Sequence, residues 1–321
     1  MGPSAVRITA EAFVTPPEFD GLKLAQRSAG QIGGVRLQLL PLRGQTRLGD
    51  CYQQVPVRVL PPFHFDGEPA ELLYLLNPTA GLMDGDGHWL EIATAPGAKA
   101  VVTGQSATRM HPCPRSYSTQ QWKIHVAPGS ELVVLPGPAI PFQGARSYQR
   151  VQIDLENDTR FIWAEIWYPG RYDRGAQSER FQFRSLIQET EVRRVGQLAF
   201  RDRFHWQGPW DREAIRWHLG GHLACGSLFV TGAVDEQRIS FERSVETAVM
   251  RLASGDTCVR CLGSPADVMH AVVNAALRLA ANWSANANGT PWLLSSDGLA
   301  KNHWFSAGPD GGHTPSQIRP A

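Results

Sequence analysis

The chain has 321 residues, 42% of them hydrophobic, with 31 basic against 30 acidic side chains and a net charge of +1. This supplies enough apolar material for one large domain or two smaller ones, and it lacks the basic excess that would point to nucleic acid or a membrane surface. No apolar run approaches the roughly 18 residues of a membrane span. Met1-Gly-Pro-Ser-Ala-Val-Arg7 lacks the order of a secretion signal, and five cysteines form an odd, sparse set suited to a reducing compartment, so a soluble cytoplasmic protein is expected.

In chain order, residues 1–33 are mixed, with Thr15-Pro-Pro-Glu18 breaking any regular element. Val35-Arg-Leu-Gln-Leu39 alternates apolar and polar residues and predicts a strand over 33–40. A second extended piece runs from Gln45 to Leu60 and stops at Pro61-Pro62. The stretch from Tyr74 to Ala145 then alternates apolar runs with Gly, Pro and Asp, which predicts short strands joined by tight turns. Asp84-Gly85-Asp86-Gly87 is a turn signal in its own right, because Gly admits positive φ and Asp bonds to nearby backbone.

A repeat begins at Trp89. Trp89 to Thr103 reads strand, Pro-Gly turn, strand; Trp122 to Leu135 repeats the unit, and Val151 to Trp163 repeats it with Asn157-Asp158 in place of Pro-Gly. The turns begin at Pro96, Pro128 and Asn157, spacings of 32 and 29 residues. A period near thirty predicts stacked layers of short strands, each with an apolar face it cannot bury alone; three unrelated hairpins in a sandwich are the alternative. Further strands are expected over 189–205 with a turn at Gly196, over 227–234, and over 247–253. A helix is expected from Ser264 to Trp283: Ser264 suits the N-cap, Pro265 the first helical position and Asp267 the positive end. Val268, Val272, Ala275, Leu279 and Trp283 give it one apolar face. That face either covers the β stack or meets a partner. The domain reading is a single β-rich unit over 1–285 with a loosely ordered tail over 286–321.

Most catalytic patterns fail on local grounds. Ser106 in Gly104-Gln-Ser-Ala-Thr108 lacks the second glycine of a nucleophile elbow, and no acid is specified to orient His111 or His125. There is no phosphate-cradling glycine loop. His218-Leu-Gly-Gly-His222 has metal-ligand spacing, but its two adjacent glycines argue against a stable helix there. Cys258-Val-Arg-Cys261 has the spacing of a zinc or redox pair without a second pair, and it also reads as a strand with two small buried side chains. The acidic residues remain. Carboxylate and imidazole suit a borderline divalent ion, and a protein that passes a metal onward needs weak sites in series. Asp86, Glu91 and Glu165 could face such a passage; for Glu91, alternation with Leu90 and Ile92 also fits an outward-facing strand residue.

Five ordered segments give the chain a resemblance. Leu76-Asn77-Pro78-Thr79-Ala80-Gly81 leads into Asp84-Gly85-Asp86. Gln105-Ser106-Ala107-Thr108-Arg109, Phe142-Gln143-Gly144-Ala145 and Glu165-Ile166-Trp167-Tyr168-Pro169-Gly170-Arg171 follow. With Leu132 to Gly137 and Glu179-Arg180-Phe181 as altered counterparts, the chain resembles the urease accessory protein UreD (UreH) family from about Gly34 to about Asn282. The resemblance implies a non-enzymatic scaffold that works with UreF, the GTPase UreG and the urease structural subunits. It implies an internal passage for transient Ni2+, with no tightly bound cofactor. It also implies a mainly β, solenoid-like helical stack with one or two C-terminal helices. Asp86, Glu165, Asp84 and Glu91 are the expected passage residues, Asp84 compensating for an acid and an amide missing at 132–137. A β-solenoid enzyme acting on polysaccharide through paired acids, with ten tryptophans as sugar platforms, is the rival reading; a binding scaffold without a metal role is a third.

Overall fold

The structure, a computed structural model, describes residues 6–25, 30–64, 69–172, 179–234 and 244–283. The expected tail over 286–321 lies outside the described residues. Two 3₁₀ turns, Ala10–Ala12 and Pro17–Phe19, precede the first strands. These are β1 (Ile32–Leu42), β2 (Gln45–Gln54), β3 (Arg58–Val59), β4 (Phe63–His64) and β5 (Glu71–Leu76). The repeat region holds β6 (Gly87–Thr94), β7 (Lys99–Gly104), β8 (Thr108–Met110), β9 (Ser118–Val126), β10 (Glu131–Leu135), β11 (Ala139–Pro141), β12 (Arg146–Leu155) and β13 (Arg160–Trp167). There follow β14 (Ser185–Arg194), β15 (Gln197–Gln207), α1 (Arg212–Leu219), β16 (Ala224–Val230), β17 (Glu246–Arg251), β18 (Thr257–Gly263) and α2 (Pro265–Trp283). Among the described residues no helix is long and apolar enough to cross a membrane.

Two large sheets face each other. The first runs β15-β14-β12-β9-β6-β1-β2 and the second β17-β18-β16-β13-β10-β7-β5-β3. The three units of the repeat do stack, and none is a hairpin: each sends its first strand to one sheet and its second to the other. β6, β9 and β12 are parallel neighbours, as are β7, β10 and β13. The register reproduces the sequence period. Leu90 pairs with Trp122 and Trp122 with Val151; in the other sheet Val101 pairs with Val133 and Val133 with Ile162. Gly97 (φ 78°), Gly129 (φ 67°) and Asp158 (φ 54°) hold the left-handed position of the three turns, so Asn157-Asp158 stands in for Pro-Gly. The stacking does not extend to every strand. β2, β15, β16, β17 and β18 are antiparallel to their neighbours.

Strand composition follows from how many faces are covered. Leu90, Ile92, Ile124 and Ile153 point into the space between the sheets and are at most 2% exposed, while Glu91 and Lys123 on the other face meet solvent. The central strands of the second sheet, β7, β10 and β13, are covered on both faces, which is why they are nearly continuously apolar. Val102, Val134 and Trp163 face the first sheet; Val101, Val133 and Ile162 belong to the cluster beneath α2. Each such side chain, fully buried, contributes about 1.5–3 kcal/mol.

α2 begins where expected. Ser264 Oγ accepts the Asp267 amide at 3.2 Å and donates to its carboxylate at 2.7 Å. Its apolar stripe is not a free contact face: Val268, Val272, Ala275 and Leu279 are buried in the cluster with the second sheet, so the helix covers the stack. The other helix, α1, is not C-terminal but lies between β15 and β16. Asp211 caps it, accepting the Ala214 amide at 2.8 Å, and Gly220 ends it at φ 62°. His218 thus lies on the helix and His222 beyond its end, so they do not share a helical face. Cys258 and Cys261, three apart on a strand, point to opposite faces. Both are buried free thiols whose pKa values burial raises, which makes the pair structural rather than a chelate.

Candidate functional site

The Asn-Pro-Thr-Ala-Gly segment closes one end of the space between the sheets. Asn77 Oδ1 accepts the Thr79 amide and hydroxyl at 3.1 and 2.8 Å, and the Thr79 hydroxyl also lies 3.0 Å from the Gly81 carbonyl. Gly81 has φ 139°, and a Cβ there would lie 2.3 Å from the Arg109 carbonyl, so the chain needs glycine at this crossing. Inside this loop is a cavity of about 60 Å³. Asn77, Thr79, His88, Ser106, Thr108 and Gln120 supply polar lining, with Leu90 and Trp122 at its floor and Arg109 at its rim. Ser106 thus has a place in the lining without a catalytic partner: His111 Nε2 bonds the Ala80 carbonyl at 3.0 Å, and His125 is exposed on the outer sheet face.

The turn after this loop is held by its own acids. Asp86 is 3% exposed. One carboxylate oxygen accepts the Gln31 amide at 2.7 Å and the other the Met83 amide at 2.8 Å. Burial raises its pKa, against the pull of these two amides. Asp84 accepts the Ser116 amide at 2.8 Å and the Arg115 amide at 3.2 Å. Both side chains fasten the turn to segments distant in sequence, Asp86 to Gln31 and Asp84 to Arg115 and Ser116. Glu91 faces outward, 3.4 Å from the Arg36 guanidinium, with Trp89 Nε1 donating to it at 3.2 Å.

Glu165 alone among the expected residues points between the sheets. From β13 in the second sheet it reaches β14 in the first. Its Oε1 accepts Trp163 Nε1 at 2.7 Å, Gln188 Nε2 at 2.9 Å and the Thr190 hydroxyl. Burial raises its pKa, opposed by these donors; the nearby Asp202 carboxylate adds to the rise and the Arg260 guanidinium opposes it. Trp163 meets Trp122 edge-to-face at 5.3 Å, so an indole pair links the cavity to the Glu165 cluster.

The structure therefore brings Asp84 and Asp86 together and leaves Glu91 and Glu165 apart from them. Among the described residues no three His, Cys, Asp or Glu side chains converge in a metal-binding group. The residue that sequence reasoning missed is His88. It is 1% exposed, its Nε2 has no hydrogen-bond partner, and burial lowers its pKa to about 4. The signal was parity: His88, Leu90 and Ile92 share one strand face, and the latter two are core positions.

The chain matches the family described as UreD urease accessory protein over residues 31–292. A urease accessory protein UreD 2 from a Synechococcus species is 36% identical over 192 residues, which covers 56% of this chain and 67% of that protein. A UreD from another Synechococcus strain is 35% identical over 202 residues, 59% of this chain and 71% of that protein. A UreD from a Bacillus species is 24% identical over 269 residues, 81% of this chain and 97% of that protein.

Proposed function

The chain belongs to the UreD urease accessory protein family, and from that premise we propose that it is a non-catalytic scaffold in urease maturation. Docked with UreF, the GTPase UreG and urease apoprotein, it passes Ni2+ through its interior. The three parallel layers are in this reading a short solenoid-like segment that keeps the passage rigid.

The observation that carries the proposal is Glu165. A carboxyl group held between two sheets by neutral donors, its position fixed, offers oxygen to a passing cation. Replacing lost hydration with carboxylate and hydroxyl oxygen lowers the barrier for an ion without trapping it, which is the requirement for conduction. Oxygen and imidazole hold a borderline divalent ion less firmly than thiolate would.

The test is Glu165→Gln co-expressed with urease and its accessory proteins at several nickel concentrations. Urease activity is expected to fall at limiting nickel while recovery of the accessory complex stays at the wild-type level. Wild-type activity at limiting nickel would remove Glu165 from the passage.

A further inference from the structure

Beside the two large sheets the layered units build a third, shorter ladder. β8 runs parallel to β11, with Arg109 opposite Ile140, and the pairing of Ala139 with Trp167 puts Tyr168 on the other side of Ile140. Arg109, Ile140 and Tyr168 therefore stand in one row, one from each layer. Alternation along the strands sends their neighbours Met110, Ala139 and Trp167 inward, where they share one buried apolar cluster. The outward row lines an open groove of about 430 Å³, extended by Ala80, His111, Phe142 and Tyr172. Ala80, Arg109, Phe142 and Tyr168 belong to four separate segments that carry the UreD resemblance, and the layer stacking brings them to this one surface. Two guanidinium groups and no carboxylate line the groove. Arg171 is already matched: it lies 4.6 Å over the Phe142 ring and pairs with Glu179. Arg109 is exposed and makes no hydrogen bond or ion pair among the described residues. One unmatched positive charge thus stands beside half-buried apolar and aromatic side chains.

We propose that this groove docks a partner-protein segment that carries a carboxylate next to apolar side chains. The carboxylate meets Arg109, and the apolar side chains lie against Ile140, Phe142 and Tyr168. Tyr, Phe and Arg are the side chains that protein interfaces favour, and a charge at the edge of an apolar groove fixes the register of what binds there. A single unmatched cation on a chain of net charge +1 is not the footprint of a polyanion, which needs many basic contacts. The proposal rests on the scaffold reading above and is independent of any metal.

The experiment uses the full chain co-expressed with urease and its accessory proteins. A photo-crosslinking amino acid is placed at Ala80, exposed at the edge of the groove, and as a control at His125, exposed on the outer face of the first sheet. Ala80 is expected to capture a partner peptide that contains Asp or Glu, and His125 is expected not to reach it. Arg109→Glu is expected to remove that cross-link and to lower recovery of the partner by about tenfold, at unchanged melting temperature. Should the melting temperature fall, Arg109→Gln, which removes only the charge, carries the comparison. Arg109→Lys is expected to keep most of the recovery, and changing the captured acid to Lys in the partner is expected to restore binding to Arg109→Glu. A cross-link to a second copy of this chain, to its own residues 173–178 or 284–321, or to a partner peptide without an acid would overturn the proposal. Wild-type recovery with Arg109→Glu would also overturn it and leave the scaffold reading standing. If the wild-type chain itself recovers no partner, the scaffold reading fails and the docking site with it.

Discussion

Asp86 carries a turn signal in the sequence and keeps that role in the structure, with each carboxylate oxygen engaged by a different backbone amide. Asparagine offers one oxygen where two are needed, and its amide would face an N–H donor. Asp86→Asn is therefore expected to destabilise the chain by about 1–3 kcal/mol, measured by denaturant unfolding. A variant with unchanged stability would show that the two bonds are dispensable. Glu71 is a second buried acid, 1% exposed, with both oxygens lacking a hydrogen-bond partner and the His64 ring 3.6 Å away. Burial pushes it from 4.5 up to about 7. The folded state then holds a proton that the unfolded chain releases, so stability falls as pH rises from about 4.5 to about 7 and is level above. Glu71→Gln, which mimics the protonated form, is expected to melt with the wild type at the acid end of that window and above it at pH ~8. Equal melting temperatures at both pH values would refute the shift.

At the scale of elements, the turns of the repeat share one backbone requirement. Gly97 and Gly129 have positive φ and open space around a would-be Cβ, so a side chain there meets only a conformational cost. Gly129→Ala is expected to cost about 1 kcal/mol. Gly129→Asn should cost less, because Asp158 already occupies the matching position at φ 54°. Equal losses for Ala and Asn would argue against a left-handed requirement. α2 tests the packing of the second sheet. Val272 is 1% exposed, and its Cγ2 would lie 2.6 Å from a Cβ added at Gly226. A carboxylate there would be buried without a partner, so Val272→Asp is expected to abolish cooperative melting rather than selectively remove a binding partner. A cooperatively folded variant that has lost only a partner would reverse that assignment.

On the scale of the molecule, the proposed passage needs a feature no single element has: polar groups held between two otherwise apolar sheets. The cavity lies at one end of that space, and Glu165 stands beyond the Trp122–Trp163 pair. A series of weak sites loses one step when one ligand is removed. The deficit of Glu165→Gln in urease activation should therefore shrink as nickel is raised, since the remaining sites fill by mass action. A deficit independent of nickel would point to a partner contact instead of the passage.

The sequence by itself determined the period, the turns and the start of the long helix, because each rests on local chemistry. Left-handed positions call for Gly or Asp, and Ser264 with Asp267 caps a helix wherever the helix goes. The motifs also sufficed for the family. α1 escaped notice because it is short and its only strong marks, Asp211 before it and Gly220 after it, are common in loops too. Tertiary structure decided that the two strands of each unit part to different sheets, since both a hairpin and a layer satisfy the same alternation of residues. It also decided the roles of the acids. A carboxylate's character is set by what surrounds it, so Asp86 and Asp84 became staples for backbone from distant segments, Glu91 paired with Arg36 on the solvent face, and only Glu165 was left between the sheets. The burial of His88 was decided the same way, once two sheets closed over its ring and left Nε2 without a hydrogen-bond partner.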